Sequence, residues 1–381
     1  MRIALTCYPT YGGSGVVASE LGRQLARRGH EVHFITYDVP FRLRGFQERL
    51  YFHEVEVPAY PLFKHPPYLL ALANKMVEVA QSARLDILHV HYAIPHATSA
   101  YLARQVIEAS GDGPAPAVVT TLHGTDITLV GSEPSFAGIT AFSIQASDGV
   151  TAVSEALKRQ TLETFKVSRD IRVIYNFVDP EDYADLSACW RGSLAENGEL
   201  VVAHVSNFRP VKRADVVVRV FAAACRNLPA RLALIGDGPD LHKVRAEAER
   251  LGVSDKLVFL GQQEQISELL ASADVFFLPS LQESFGLAAL EAMAAGVPVV
   301  ATRVGGLPEL VGDGDGAGGF LYEVDDFDGM AQGLRTLLTD RDLRARVSAR
   351  ARHRALSLFS SEIIVPQYEA FYRDVLDGVR G

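Results

Sequence analysis

Two segments of the chain collect the residue types needed to hold a polyanion. Ser206-Asn207-Phe208-Arg209-Pro210-Val211-Lys212-Arg213 supplies cations, and Glu283-Ser284-Phe285-Gly286 opens an apolar helical run over residues 287–295. The first segment follows an apolar strand-like run, which puts Arg209 and Lys212 where a doubly wound sheet presents its ligand crevice, at strand carboxyl ends. The second adds backbone amides and the positive end of a helix dipole. Isolated, Arg209 and Lys212 would read as solvated loop charges; beside a helix start they suit a diphosphate. Glu291 lies in a run apolar almost all round, so its carboxylate needs a partner, either a ligand hydroxyl or a salt bridge. At ~1.5 Å rise per residue, Glu283 and Glu291 are expected ~12 Å apart, beyond the ~5–9.5 Å of a glycosidase carboxylate pair. Hydrolysis through this pair is disfavoured.

The other chemistry-bearing residues fall earlier. Tyr11-Gly12-Gly13-Ser14-Gly15 sits between an expected strand and helix, where amides can approach an anion. Gly13-x-Gly15-x-x-Ala18, with Asp38 about 20 residues on, also fits a dinucleotide fingerprint, so an NAD-dependent dehydrogenase is a rival; a tight turn that binds nothing is another reading. His123, in Thr120-Thr121-Leu122-His123-Gly124-Thr125-Asp126, enters a loop from a strand end. His89 and His91 share a strand face, with Tyr92 opposite if the strand continues. No carboxylate or cysteine stands at metal-ligand spacing to them, so hydrogen-bonded histidines and no required metal are expected.

Elements that could position these groups are legible as a βαβ rhythm. In the first half, strands are expected at residues 3–7, 32–36, 87–90 and 117–121, with a helix over about 15–28. In the second, strands are expected at 201–205, 232–235, 257–260, 275–278 and 298–301, with helices after 213 and from about 241. Continuous apolar runs such as Val275-Phe276-Phe277-Leu278 suit parallel sheets covered on both faces. The 381 residues exceed what one core organises, so two doubly wound α/β domains follow. Apolar periodicity breaks over 176–197, where Asp179-Pro180-Glu181-Asp182 supplies turn chemistry. The domains are set at 1–178 and 179–362, with a last helical stretch in 363–381.

Charge separates the halves. Residues 1–178 hold 16 Lys+Arg and 16 Asp+Glu, and the remaining 21 and 30 place the whole net charge of -9 in the second half. Neither half carries the basic excess that nucleic acid or an anionic membrane favours, which points to a small diffusible substrate. No apolar run approaches ~18 residues and the N-terminal segment is too short for a signal sequence, so no stable membrane insertion and a cytoplasmic location are expected. Cys7, Cys189 and Cys225 are widely spaced and suit buried, inert thiols.

Together, Gly12-Gly13-Ser14-Gly15, His123-Gly124-Thr125-Asp126, Gly236-Asp237-Gly238-Pro239 and Glu283-Ser-Phe-Gly-x5-Ala292-x3-Gly-x-Pro, with Glu291 eight after Glu283, resemble the retaining glycosyltransferases of the GT-B fold. The likeness spans nearly the whole chain. Thr6-Cys7-Tyr8-Pro9, His89 to Ala97, Thr120 to Thr128 and Ser206 to Arg209 resemble the malate-using branch that opens bacillithiol biosynthesis. That resemblance implies a GT-B fold with two Rossmann-like domains facing a cleft, and transfer of N-acetylglucosamine from UDP-N-acetylglucosamine to the hydroxyl of L-malate. It implies no cofactor and no metal, and is compatible with a homodimer. Carried onto matching positions, Arg209 and Lys212 neutralise the diphosphate while Ser284, Phe285 and Gly286 meet phosphate or sugar through the backbone. Glu291 holds the ribose, Glu283 grips sugar hydroxyls, and Gln262 lies at the uracil-reading strand end. Gly13 and Ser206 complete the donor site. Ser14, Tyr92 and Thr121 line the acceptor pocket, with His123 beside the donor sugar. His123, Arg209, Lys212 and Glu283 are the expected catalytic set.

With no obvious enzymic nucleophile, the resemblance also implies retention by front-face displacement, as in that group, in which electrostatic stabilisation of the departing diphosphate dominates. Arg42, Arg44 and Lys64 are candidate partners for acceptor carboxylates on chemical grounds. The two-domain architecture implies closure about residues near 176–180, and the last helix is expected to pack back on the first domain by analogy of fold. Rivals remain: the same chemistry on an inositol phosphate or a lipid-linked sugar, the dehydrogenase, and a noncatalytic sugar-nucleotide sensor.

Overall fold

The computed structural model describes residues 1–380 apart from 11, 41, 42, 44, 58–63, 112, 129, 130, 132, 187–189 and 197. The chain divides into two compact units, Met1–Tyr175 with Ile364–Gly381, and Asn176–Ile363.

The first unit is built on a seven-stranded parallel sheet of order β3-β2-β1-β4-β5-β6-β7. Its strands are β1 (Arg2–Thr6), β2 (Glu31–Thr36), β3 (Leu50–Glu54), β4 (Ile87–His91), β5 (Ala117–Leu122), β6 (Gly149–Ala152) and β7 (Ile171–Val173). The strand order reverses between β1 and β4, so the loops leaving these two strands open a crevice at a topological switch point. Helices Tyr68–Ala83 and Thr98–Ser110 cover one face. Leu72, Met76, Val79, Ala100, Ala103 and Ile107 from these helices pack on Ala4, Ile35, Leu88 and Val90 of the sheet. Each large aliphatic side chain buried there contributes about 1.5–3 kcal/mol. The helix Ser361–Arg380 belongs to this unit from Ile364 onward. Glu369 accepts from Arg28, with His30 Nε2 also within hydrogen-bond distance, and Phe371 lies where a side chain at Gly149 would be.

The second unit repeats the plan with six parallel strands in the order β10-β9-β8-β11-β12-β13. These are β8 (Leu200–Val205), β9 (Ala230–Ile235), β10 (Leu257–Gly261), β11 (Val275–Leu278), β12 (Val299–Thr302) and β13 (Gly319–Tyr322). Its switch point lies between β8 and β11. All four residues of β11 are buried, and Val275 and Phe277 join one core with Phe221, Leu232, Leu234 and Leu334, as expected for a strand covered on both faces. The arginine-rich helix Arg341–Leu358 ties neighbouring helix ends. Arg344 donates to the carbonyls of Leu337 and Leu338, Arg352 to Ala294 O, and Arg354 to Leu310 O and Glu309 O. Guanidinium groups thus occupy positions where helix carbonyls lack intrahelical partners.

The expected two doubly wound domains are present, and every strand anticipated from sequence is found within two residues of its expected ends. Four strands were not anticipated: β3, an exposed edge strand; β6 and β13, which start on glycine; and β7, only three residues long. Cys7 and Cys225 are buried thiols pushed up to about 12 by burial; Cys189 lies outside the described residues.

Candidate active site

In the first unit, Gly12 caps the helix Gly13–Arg27 at the end of the loop that leaves β1, so Gly13 and Ser14 form its first turn. Gly15 is required by close approach: a Cβ there would stand 2.6 Å from the carbonyl oxygens of Tyr8 and Thr10. The glycine run therefore has a packing reason as well as a binding one. Tyr11 lies outside the described residues. Ser14 Oγ and Tyr92 Oη share a hydrogen bond of 2.8 Å, joining the β1 and β4 loops across the switch point. Tyr92 does not continue the strand, as the alternation had suggested; it takes φ +89° and so turns out of the β4 register. Burial pushes its hydroxyl up to about 12, with the Ser14 bond acting the other way.

His123 follows β5, and its backbone N–H and that of Gly124 donate to Asp126 Oδ1 at 3.2 and 2.9 Å. Asp126 Oδ2 accepts from Ala93 N at 3.0 Å, so one buried carboxylate fixes the loops after β4 and β5 together. Burial raises this carboxyl to about 6 against those lowering bonds. His91 Nδ1 lies 2.7 Å from His123 Nε2, and the two rings stack at 5.0 Å. Burial pushes His123 down to about 3, His96 contributing second, and holds His91 well below its ordinary value. Thr121, expected at the acceptor pocket, is fully buried, and its hydroxyl is spent on His89 Nε2 at 2.7 Å and on Thr151 Oγ1 at 2.7 Å. His89 Nδ1 in turn meets Tyr372 Oη at 2.8 Å. The histidines on β4 are hydrogen-bonded, and among the described residues no group of three or more metal-ligating side chains gathers. Lys64 is exposed, while Arg42 and Arg44 lie outside the described residues.

In the second unit the loops leaving β8 and β11 converge. Lys212 Nζ donates to Glu283 Oε1 at 2.5 Å, and Ser280 Oγ donates to the same oxygen at 2.8 Å. The Glu283 carbonyl accepts from Gly306 N at 3.1 Å. A Cβ on Gly305, which takes φ +52°, would stand 1.7 Å from that carbonyl, so only glycine permits this brace. Arg209 is exposed and forms no ion pair among the described residues, which leaves its guanidinium available. Ser206 has a structural use that its sequence position did not reveal. His204 Nδ1–H donates to Phe277 O at 2.9 Å, so Nε2 accepts from Ser206 Oγ at 2.8 Å, and that oxygen accepts from Phe208 N at 3.2 Å. This relay shapes the turn, with Phe208 at φ +39°, that carries Arg209. Burial holds His204 near 4, so it is neutral around pH 7.

Glu283 precedes the helix Leu287–Ala294 instead of sitting in it, so the helical rise does not measure its separation from Glu291. Ser284, Phe285 and Gly286 form the entry to that helix, with Phe285 buried edge-on against Phe359 at 5.5 Å. Glu291 is 6% exposed on the helix. Gln262 is exposed immediately after β10. Thus Ser206, Arg209, Lys212 and Glu283 to Gly286 gather at one switch point, and Gly13, Ser14, Tyr92 and His123 at the other. Asp126, His204 and Ser280 were not singled out from sequence, whereas His91 was expected only as one of two hydrogen-bonded histidines on a strand face. The hint for His204 was spacing, since it stands two residues from its partner Ser206.

Comparison with known proteins agrees with this arrangement. Residues 190–354 match the family model Glycosyl transferases group 1, and residues 11–182 match Glycosyltransferase Family 4. The N-acetyl-alpha-D-glucosaminyl L-malate synthase of Bacillus anthracis is 49% identical over 99% of this chain and 97% of its own length. A D-inositol 3-phosphate glycosyltransferase of Stackebrandtia nassauensis is 31% identical over 89% of this chain and 82% of its own. Among solved structures, sucrose-phosphate synthase of Thermosynechococcus elongatus superposes with a TM-score of 0.77 at 22% identity, covering 99% of this chain and 100% of that one. HepE of Anabaena, in complex with UDP and glucose, gives 0.78 at 22% identity, covering 97% and 98%. The dehydrogenase alternative falls away: Asp38, its required ribose ligand, is an exposed residue whose carboxylate accepts from its neighbour Val39 N, and both halves of the chain match glycosyltransferases. The chain belongs to the GT-B glycosyltransferases.

Proposed function

We propose that this protein transfers N-acetylglucosamine from UDP-N-acetylglucosamine to the hydroxyl of L-malate, with retention, as the opening step of bacillithiol biosynthesis. The observation that carries this reading is the 49% identity, over nearly the whole of both chains, to a relative named for that product. The geometry supports it. Arg209 and Lys212 offer positive charge beside the amides that enter the helix Leu287–Ala294, an arrangement suited to a leaving diphosphate. In the reaction, the bond from the anomeric carbon to the UDP oxygen breaks, the malate oxygen bonds to that carbon on the same face, and the malate proton passes to the departing phosphate.

In this reading Glu283 exchanges part of its bond with Lys212 for sugar hydroxyls when the donor enters, and Glu291 holds the ribose. Gln262 lies toward the uracil. Ser206 and Thr121 act by bracing, since their hydroxyls are already spent. Ser14 and Tyr92 meet the acceptor, and His123 meets the donor sugar. The cations supply the charge that a divalent metal supplies elsewhere, so metal-independent turnover is part of the proposal. No described helix is long and apolar enough to cross a membrane, in keeping with diffusible substrates. The test is product analysis: incubation with UDP-N-acetylglucosamine and L-malate should give an α-linked glycoside by proton NMR. Product with an inositol phosphate but none with malate would overturn the acceptor assignment.

A further inference from the structure

We infer that His91 sets the tautomer of His123: His91 Nδ1–H donates to His123 Nε2, which leaves Nδ1 as the protonated nitrogen of His123 and makes that residue a hydrogen-bond donor, not a base. The consequence for catalysis rests on the transferase reading above; the tautomer itself does not.

Three observations carry the assignment. His91 Nδ1 and His123 Nε2 stand 2.7 Å apart, so one nitrogen donates and the other accepts. His91 Nε2 is buried without a hydrogen-bond partner among the described residues. His96 Nδ1 lies 2.6 Å from the His91 carbonyl, which can only accept, so His96 is the Nδ1–H tautomer and anchors the His91 backbone. If His123 were the donor, neutral His91 would carry its proton on Nε2 and bury an N–H with no acceptor. Orphaned N–H groups are the rarer and costlier kind of unsatisfied group. If His91 is the donor, only a lone pair is left bare.

A charged pair is excluded by the surroundings. His91 packs between the rings of His89 at 4.6 Å and His123 at 5.0 Å, and Asp126, the carboxylate of this loop, is committed to the backbone N–H groups of Ala93, His123 and Gly124. Burial keeps the imidazoles neutral around pH 7. His91 is therefore a positioning residue: it fixes which ring nitrogen of His123 offers a proton to a sugar or acceptor oxygen. Such pairing was invisible in sequence because the two residues are 32 apart and meet only through the β4–β5 pairing.

The experiment uses full-length protein labelled with 15N-histidine. Long-range 1H–15N spectra distinguish protonated from bare ring nitrogens, and His123→Gln assigns the His123 signals. The expected result is a protonated Nδ1 and a bare Nε2 on His123. His91→Asp, whose carboxylate can accept but not donate from nearly the same place, should draw a proton to His123 Nε2 and lower kcat about tenfold. His91→Asn, whose amide can donate from nearly the same place, should keep the Nδ1–H form and most of the turnover. A protonated Nε2 on His123 in the wild type, or a His123 Nε2 still bare in His91→Asp, would overturn the inference. The expected tautomer in a protein that makes no malate glycoside would instead uphold it and sink the transferase reading.

Discussion

The Lys212–Glu283 pair offers a prediction whose size can be worked from its geometry. The two charges meet at 2.5 Å with side-chain exposures of 22% and 9%, and Ser280 holds the same carboxylate oxygen. Unit charges about 4 Å apart at an effective dielectric of ~20 attract by ~4 kcal/mol. Desolvation and the partial exposure of Lys212 reduce the net coupling to about 1–2 kcal/mol. Lys212→Met leaves a nearly buried carboxylate with one hydroxyl donor and should destabilise the second unit by about 2–3 kcal/mol. Glu283→Gln, which keeps an acceptor for Ser280, should cost about 1 kcal/mol, and the double variant should cost less than the two together. Urea unfolding read from the second unit gives the cycle, and UDP release gives activity in parallel. Each single variant should lose on the order of 100- to 1000-fold in kcat, with the double variant no worse than the poorer single. Additive stabilities, or an active Lys212→Met, would refute the reasoning.

Two further predictions follow from the backbone and from buried histidines. Gly305→Ala should destabilise the second unit by about 2–4 kcal/mol and lower turnover, because its Cβ would stand 1.7 Å from the Glu283 carbonyl; Gly252→Ala, also at positive φ but with nothing within 4 Å, should cost only about 1 kcal/mol and leave turnover intact. Urea midpoints of the two variants make the comparison. Acid should weaken the first unit before the second. His89, His96 and His123 are held near 3, 4 and 3 in the folded first unit, against His204 alone near 4 in the second. A histidine whose folded value is depressed gives stability that is full above its unfolded value of about 6.5 and lost as pH falls below it. Asp126, raised to about 6, has the opposite sign, so that its penalty is relieved between pH 6 and 4; it offsets only part of the loss. Calorimetry from pH 7 to 5 should show the first unit's transition falling further, and equal movement of both would contradict the assignment.

The large-scale plan was legible because it is local. Apolar runs of four to six residues alternating with amphipathic stretches announce parallel strands and their crossovers, and β11 is found at the expected residues 275–278. The loops bearing Arg209, Lys212, His123 and Gly13 were placed correctly by the same logic, since each directly follows a strand. Partnerships across the sheet were not legible. Ser206 and Thr121 looked like ligand-facing hydroxyls, and which side chain accepts from each depends on neighbours brought up by pairing or by a turn. The expected separation of Glu283 and Glu291 carried the helical rise back through Glu283, whereas Gly286, at φ +97°, caps a helix that begins only at Leu287. The edge strand β3 escaped notice because Tyr51 and Phe52 are exposed, so its pattern carries no buried face.

The account's central claim is most directly tested by UDP release from UDP-N-acetylglucosamine by the full chain in the presence of a chelator, with and without L-malate. The account predicts release that depends on malate and survives chelation. Release at the same slow rate with and without malate would contradict it.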